Sequence, residues 1–119
     1  MNPPNIDLLA AEAKATHRLV ALTPAQARTV RSIIHRVLPG ARVRVFGSRA
    51  TGRARPFSDL DLLLLEPPRL TWAQRADLRD LFEASELPFR VDVVEAEALP
   101  PGMAARVADE SVALSDSPR

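Results

Sequence analysis

Two acidic side chains separated by one residue are the first feature of the sequence that could do chemistry. Asp59 and Asp61 flank Leu60 at the start of an apolar run that extends to Leu65. Alternate side chains of a β-strand share a face, so the strand pattern predicts that both carboxylates point the same way. Two like charges on a buried strand repel each other and lose hydration, and a hard cation such as Mg²⁺ would compensate them. Without other signals, a turn cap at Asp59 and a solvated strand edge at Asp61 explain the pair equally well.

A glycine and a serine follow the preceding predicted strand directly. Gly47 would let the backbone approach a phosphate closely, and the Ser48 hydroxyl and the following N–H groups could donate hydrogen bonds to it. Arg49 could grip the same oxygens in a bidentate manner. Taken alone, Gly47-Ser48 is better explained as an ordinary turn between a strand and a helix.

The two elements together, with ten residues between Ser48 and Asp59, resemble the signature of the DNA polymerase beta-like nucleotidyltransferase superfamily. The stretch GSRATGRARPFSDLDLLLL is especially similar to the small MNT (minimal nucleotidyltransferase) proteins of bacteria and archaea. The order of predicted elements around the motif is also that of the family. The resemblance covers residues 23–115.

The resemblance implies a nucleotide site and a metal site. Gly47 and Ser48 would hold the β- and γ-phosphates of a nucleoside triphosphate, and Arg49 is the best further candidate for a phosphate contact. Asp59 and Asp61 would bind Mg²⁺, expected as two ions.

The family's third carboxylate lies on a following strand, and Asp92 in Val-Asp-Val is the only good candidate for it. It would complete the metal site and help to deprotonate the acceptor hydroxyl. The alternative for Asp92 is an edge-strand residue that faces water.

The resemblance also implies a function. The expected reaction moves a nucleoside monophosphate, AMP from ATP, to a hydroxyl acceptor. MNT proteins commonly pair with a HEPN toxin and neutralise it by binding, by adenylylating a tyrosine on it, or both. The sequence contains no Tyr, so a tyrosine acceptor would belong to another protein.

Two alternatives stay open at this point. The first is an antitoxin that neutralises its partner by binding alone, without catalysis. The second is a free-standing transferase that acts on a small molecule or a nucleic acid end. The only local support for the second is a group of arginines, Arg42, Arg44, Arg49, Arg53 and Arg55, which could equally line a partner interface or contact solvent.

Helix signals stand on both sides of the candidate motif. Thr23-Pro24-Ala25-Gln26 and Thr71-Trp72-Ala73-Gln74 are capping boxes, and each precedes a helical pattern of apolar residues. Pro39-Gly40 and Glu86-Leu87-Pro88 are expected to end these two helices.

Strand signals and the remaining helices complete the predicted order. The sequence predicts strands at 42–46, 60–65 and 89–94, an edge strand near 112–114, a last helix over 101–108, and an N-terminal helix capped by Asn5. These elements predict an α/β (α+β) fold, in which the two capped helices cover a small mixed sheet of three to four strands. The expected division is an N-terminal helix or arm at 1–22, a minimal nucleotidyltransferase domain at 23–115, and a tail at 116–119.

Composition excludes several other classes of protein. The chain has 119 residues, 46% of them hydrophobic and 26% charged, which predicts one globular domain. It contains no Cys and two His, so disulfides and Cys-ligated zinc are excluded. The net charge of +1 gives no reason to expect direct nucleic-acid binding. No membrane span or signal peptide is readable, and we expect a cytoplasmic protein.

Overall fold

The computed structural model describes residues 20–114. The elements follow one another as α1 (Pro24–Val37), β1 (Arg42–Phe46), α2 (Ser48–Thr51), β2 (Leu60–Glu66), α3 (Trp72–Ala84), β3 (Val91–Glu95), a 3-10 turn (Ala96–Ala98), α4 (Pro101–Glu110) and β4 (Val112–Ala113). The predicted N-terminal helix and the predicted tail lie outside the described residues.

The four strands form one mixed sheet in the order β3-β2-β1-β4. The central strand β2 pairs antiparallel with β1 and parallel with β3, and β4 pairs antiparallel with the other side of β1. The predicted fold class, a small mixed sheet covered by helices, is confirmed.

Both capping boxes form as predicted. Thr23 Oγ1 accepts a hydrogen bond from the Gln26 amide (3.0 Å), and Gln26 Oε1 accepts one from the Thr23 amide (2.9 Å). Thr71 and Gln74 repeat this pair of bonds at the start of α3. Each box satisfies two backbone donors that the first helical turn leaves unpaired, so these four-residue signals are sufficient to start α1 and α3.

The hydrophobic core lies between one face of the sheet and the two capped helices. Leu60, Leu62 and Leu64 of β2 are completely buried there. Each contributes about 1.5–3 kcal/mol by leaving water. Helices α1 and α3 supply Ala27, Val30, Ile34, Leu78 and Phe82 to the same cluster. Because side chains alternate along β2, Asp61 must point to the opposite face of the sheet.

Several boundaries differ slightly from the predictions. Strand β3 begins at Val91 rather than at residue 89, because Phe89 packs into the core before the strand pairs with β2. Helix α3 ends at Ala84, where the Ser85 hydroxyl donates to the Phe82 carbonyl at 2.6 Å. The last helix extends to Glu110. Across residues 20–114, no helix combines the length and hydropathy required to cross a bilayer.

Candidate active site

The pairing of β2 with β3 brings two acidic side chains together. In this parallel pair Asp61 is the register partner of Asp92, and their neighbours Leu60 and Val91 are paired one step earlier. Asp61 and Asp92 therefore share the face of the sheet that α1 and α3 leave uncovered. This neighbourhood is the one that the sequence-based interpretation requires.

The antiparallel pairing of β2 with β1 brings Asp61 beside the glycine turn. Phe46 is opposite Asp61, and Gly47 follows it with a φ of +78°. A Cβ atom at Gly47 would overlap the Asp61 carboxylate oxygen Oδ2. Two reasons therefore require glycine at this position: its positive φ, and the absence of a side chain that would overlap the Asp61 carboxylate.

The turn leads directly into the short helix α2. Ser48 is its first residue and is partly buried, and the Ala50 amide donates to the Gly47 carbonyl at 3.0 Å. The Thr51 hydroxyl also donates to the Gly47 carbonyl, at 3.1 Å. These bonds fix the backbone of the Gly-Ser turn against the end of β1.

The electrostatics of the site are dominated by negative charge. Burial raises the pKa of the Asp61 carboxyl, and the charges of Asp92 and Asp59 raise it further. Asp59 therefore belongs to the same acidic cluster, although it precedes β2 and its side chain is 45% exposed. A bound cation would stabilise the charged form of these carboxylates, because its positive charge offsets their mutual repulsion.

The donor set of this cluster fits a hard divalent cation, since carboxylate oxygens are its preferred ligands. The three carboxylates are not preassembled, however: among residues 20–114, no three His, Asp or Glu side chains already stand where they could hold a metal ion together. Asp59 instead accepts a weak bond from Arg90, whose Nη2 lies 3.4 Å from its Oδ2. Sequence reasoning missed Arg90, and its position two residues before Asp92 was the available signal.

Arg49 lies next to the Gly-Ser turn but is turned into the protein. It is only 4% exposed, and its guanidinium donates to backbone carbonyls, among them that of Ser58. Burial lowers the pKa of Arg49. These contacts favour a structural role for Arg49 over the predicted phosphate contact.

The other arginines of the 42–55 group do not converge on the acidic cluster as a set. Arg44 is held by Ser111, with Nε donating to the hydroxyl at 2.6 Å and Nη2 to the carbonyl at 3.0 Å. Arg42 forms an exposed ion pair with Glu66 at the far end of β1 and β2. Sequence proximity alone therefore did not define a basic surface.

A groove of about 630 Å³ opens beside the carboxylates on the β3 side of the sheet. Its lining includes Phe57, Asp59, Arg79, Pro88, Arg90 and Asp92. Phe57, a large apolar side chain, is 74% exposed on this groove. Neither the groove nor Phe57 was predicted from the sequence, because the groove forms only where loop 52–59, the end of α3 and the segment before β3 meet.

Comparison with known proteins identifies the family of this chain. The family model of the nucleotidyltransferase domain matches residues 27–114. A protein from Haemophilus influenzae named probable protein adenylyltransferase MntA is 38% identical over 66 residues, which cover 56% of this chain and 58% of that relative. The matched region thus spans less than two thirds of the relative's length.

Two solved structures share the fold. One, described as a minimal nucleotidyltransferase, is 40% identical, with a TM-score of 0.58 over 74% of this chain and 88% of the other. The second, a toxin–antitoxin structure with AMP-PNP, has a TM-score of 0.60 over 74% of this chain and 71% of the other. At 22% identity, its likeness concerns the fold alone. The family model covers most of the chain, and on this evidence the chain belongs to the nucleotidyltransferase domain family.

Proposed function

We propose that this chain transfers AMP from ATP to a hydroxyl group of a partner protein, with Mg²⁺, and that it acts as an antitoxin toward a HEPN-type toxin. The observation that carries the proposal is the position of Asp61, between the Gly47 turn on one side and Asp92 on the other. The name of the MntA relative, a protein adenylyltransferase, supports the reaction class.

The triphosphate end of ATP belongs at the Gly-Ser turn in this proposal. The missing side chain of Gly47 lets the Asp61 carboxylate lie directly against the turn, and the Ser48 hydroxyl and the first amides of α2 can donate to phosphate oxygens. The positive φ of Gly47 (+78°) turns the chain from the end of β1 into α2.

Asp59, Asp61 and Asp92 would hold the metal. Bound Mg²⁺ would supply charge neutralisation for the triphosphate and for the departing pyrophosphate. Asp59 must leave Arg90 to join the other two carboxylates, and both of these side chains are exposed enough to move.

The acceptor belongs on the β3 side of the site. In the reaction, the acceptor oxygen forms a bond to the α-phosphorus while the bond from that phosphorus to the α–β bridging oxygen of ATP breaks, and this oxygen leaves as part of pyrophosphate. The two oxygens lie roughly in line. With pyrophosphate at Gly47, the acceptor enters from the opposite side, where Asp92 lines the groove and can take the hydroxyl proton.

A protein segment suits this groove as the acceptor. The rim carries exposed Phe57, and the Arg79 and Arg90 side chains are 65% and 80% exposed. Sites for small molecules usually enclose most of their ligand, whereas exposed aromatic and arginine side chains are typical anchors at protein interfaces.

The experiment combines the full chain, Mg²⁺, the product of the neighbouring gene as acceptor, and ATP radiolabelled at the α-phosphate. The proposal requires covalent label on the acceptor that Asp61→Asn abolishes. ATP labelled at the γ-phosphate is the control, because AMP transfer leaves that phosphate in pyrophosphate. Label from the γ-phosphate, or none from the α-phosphate with every acceptor tried, overturns the proposal.

A second candidate function is neutralisation by binding alone. Two observations favour this candidate. Among residues 20–114, the carboxylates are not arranged to hold a metal ion together, and Asp59 is paired with Arg90 instead. Neutralisation of the partner that survives the double change Asp59→Asn and Asp61→Asn would support this candidate and contradict the catalytic one.

A further inference from the structure

Arg49 is a buried charged side chain held by neutral groups. Its guanidinium donates to carbonyl oxygens of four residues: Nη1 to Ala21 (2.5 Å), Nε and Nη2 to Ser58 (3.1 and 2.9 Å), and Nη2 also to Arg55 (3.2 Å) and Pro56 (3.1 Å). A buried guanidinium is costly unless its donors are used, and here every nitrogen has at least one carbonyl acceptor. Such a set of bonds specifies the position of the loop that supplies the carbonyls.

The face of the Arg49 guanidinium packs against an aromatic ring. The Arg49 Cζ atom lies 4.1 Å from the centroid of the Phe89 ring, which is the geometry of a cation–π contact. Phe89 is itself buried in the hydrophobic core, three residues before Asp92. The contact therefore connects α2 to the segment that leads into β3.

The main chain of Arg49 joins the same arrangement. Its carbonyl accepts from the Ala21 amide at 2.9 Å, while the Ala21 carbonyl accepts from the Arg49 side chain. Within the loop, the Ser58 hydroxyl accepts from the Arg55 amide at 2.8 Å, and the Ser58 amide donates to the Arg55 carbonyl at 3.0 Å. The 55–58 turn is thus stabilised by its own hydrogen bonds, and its carbonyl groups accept hydrogen bonds from the Arg49 side chain.

These contacts join the three parts of the site. Arg49 directly follows Ser48 of the Gly-Ser turn. Its hydrogen-bond partner Ser58 directly precedes Asp59. The ring on which it stacks, that of Phe89, belongs to the segment that leads into β3 and Asp92. We infer that Arg49 is a positioning residue, which aligns the Gly-Ser turn with Asp59 and Asp92 without touching the substrate. The effect of Arg49 on catalysis rests on the proposed function, whereas its effect on the position of loop 52–59 does not.

Lysine cannot replace arginine in this role. Arginine offers five N–H donors in a rigid plane, whereas an ammonium group has three donors and no plane to stack on a ring. Arg49→Lys keeps the charge and most of the length, so it isolates the loss of the loop carbonyl bonds and of the stacking on Phe89.

The first test measures the metal-free full chain by hydrogen exchange and mass spectrometry. In Arg49→Lys, amide exchange should rise by about tenfold or more in peptides that cover 50–59, while α1 and α3 stay unchanged, because local opening exposes only the released segment. Ile34→Val is the matched control, since it costs about 0.5–1.5 kcal/mol in the core and lies in α1, outside 50–59. Unchanged exchange at 50–59, or a rise spread evenly over the chain, overturns the inference.

The second test measures Mg²⁺-dependent binding of AMP-PNP by calorimetry, together with label transfer. We expect a fall of about 10- to 100-fold in kcat for Arg49→Lys, with a smaller change in KM, as for a misplacement of reacting groups. Ile34→Val, at similar stability, should keep the wild-type values. Equal kcat in Arg49→Lys and wild type contradicts the positioning role.

Two results separate this inference from the proposed function. If the wild-type chain binds no nucleotide, the proposed function fails, while the exchange experiment still decides whether Arg49 holds the loop. If Arg49→Lys does not fold, Phe89→Leu takes its place, because it keeps an apolar core side chain and removes the ring that the Arg49 guanidinium stacks on. Local exchange at 50–59 must then rise, and its absence overturns the inference.

Discussion

Arg90 Nη2 lies 3.4 Å from Asp59 Oδ2, so one member of the acidic cluster is paired with an arginine. The pair is solvent-exposed, with the Arg90 side chain 80% exposed and the Asp59 side chain 45%. An exposed pair of this kind contributes only about 0.2–1 kcal/mol. Arg90 thus competes with a cation for Asp59 without excluding it.

Arg90→Gln should therefore increase the affinity of the site for metal. Removing a competitor worth about 0.2–1 kcal/mol lowers the apparent Kd for Mn²⁺ or Mg²⁺ by about 1.5- to 5-fold. Titration with Mn²⁺, followed by electron paramagnetic resonance, measures this directly. Arg79→Gln, on the same groove, is the control and should leave the Kd unchanged. A weaker affinity in Arg90→Gln would instead mean that Arg90 orients Asp59 for the metal.

Gly47→Ala should abolish activity through its effect on Asp61. A side chain at the φ of +78° and ψ of −156° of Gly47 costs about 1–3 kcal/mol, and here its Cβ also displaces the Asp61 carboxylate. We expect kcat to fall at least about 100-fold. The matched control is Gly40→Ala, which shares the positive φ (+79°) but has nothing within 4 Å of the new Cβ. Both changes should lower the stability of the fold, and only Gly47→Ala should stop transfer; equal activity in the two variants would contradict the prediction.

Asp61→Asn should stabilise the metal-free protein while it abolishes activity. Burial and the neighbouring carboxylates disfavour the charged form of Asp61, so a neutral side chain of the same shape removes that cost. The expected gain is roughly 0.5–2 kcal/mol in the free energy of unfolding, as for other changes that relieve a functional site. Urea denaturation measures it, with Asp109→Asn on the exposed face of α4 as a control expected within about 0.5 kcal/mol of wild type.

The same pKa shift predicts how the stabilisation depends on pH. Because the pKa of Asp61 is raised in the folded state, the folded chain holds its proton to higher pH than the unfolded chain, and wild-type stability falls as pH rises between the two pKa values. The advantage of Asp61→Asn is therefore complete above the folded pKa. It should disappear as pH falls toward about 3.9, the ordinary pKa of an aspartate. An advantage that grows toward acid pH would contradict the sign of the shift.

The parts of the fold that were predicted correctly are those with local signals. Thr23 with Gln26 and Thr71 with Gln74 are capping boxes within four residues, and alternation along Leu60–Leu65 assigned the buried face of β2. The contacts that organise the site are long-range. The register of Asp61 against Asp92, and the meeting of Arg49 with Phe89, depend on strand pairing and loop closure that no short pattern encodes. For this reason Arg49 was predicted as a phosphate ligand, although its contacts favour a structural role.

Phe57→Ser should impair recognition of the acceptor without changing the fold or nucleotide binding. Phe57 is 74% exposed on the groove beside Asp59 and Asp92, so its removal leaves no cavity and should change stability by no more than about 0.5 kcal/mol. If it anchors a partner segment, its loss costs about 1–2 kcal/mol, which raises the KM for the acceptor about 5- to 30-fold and leaves the KM for ATP unchanged. Trp72→Ser is the control, because Trp72 is 90% exposed at the start of α3, beyond the opposite end of β2. Equal acceptor kinetics in Phe57→Ser and wild type would remove the groove from acceptor binding, and an effect of Trp72→Ser alone would move the interface to the other end of the sheet.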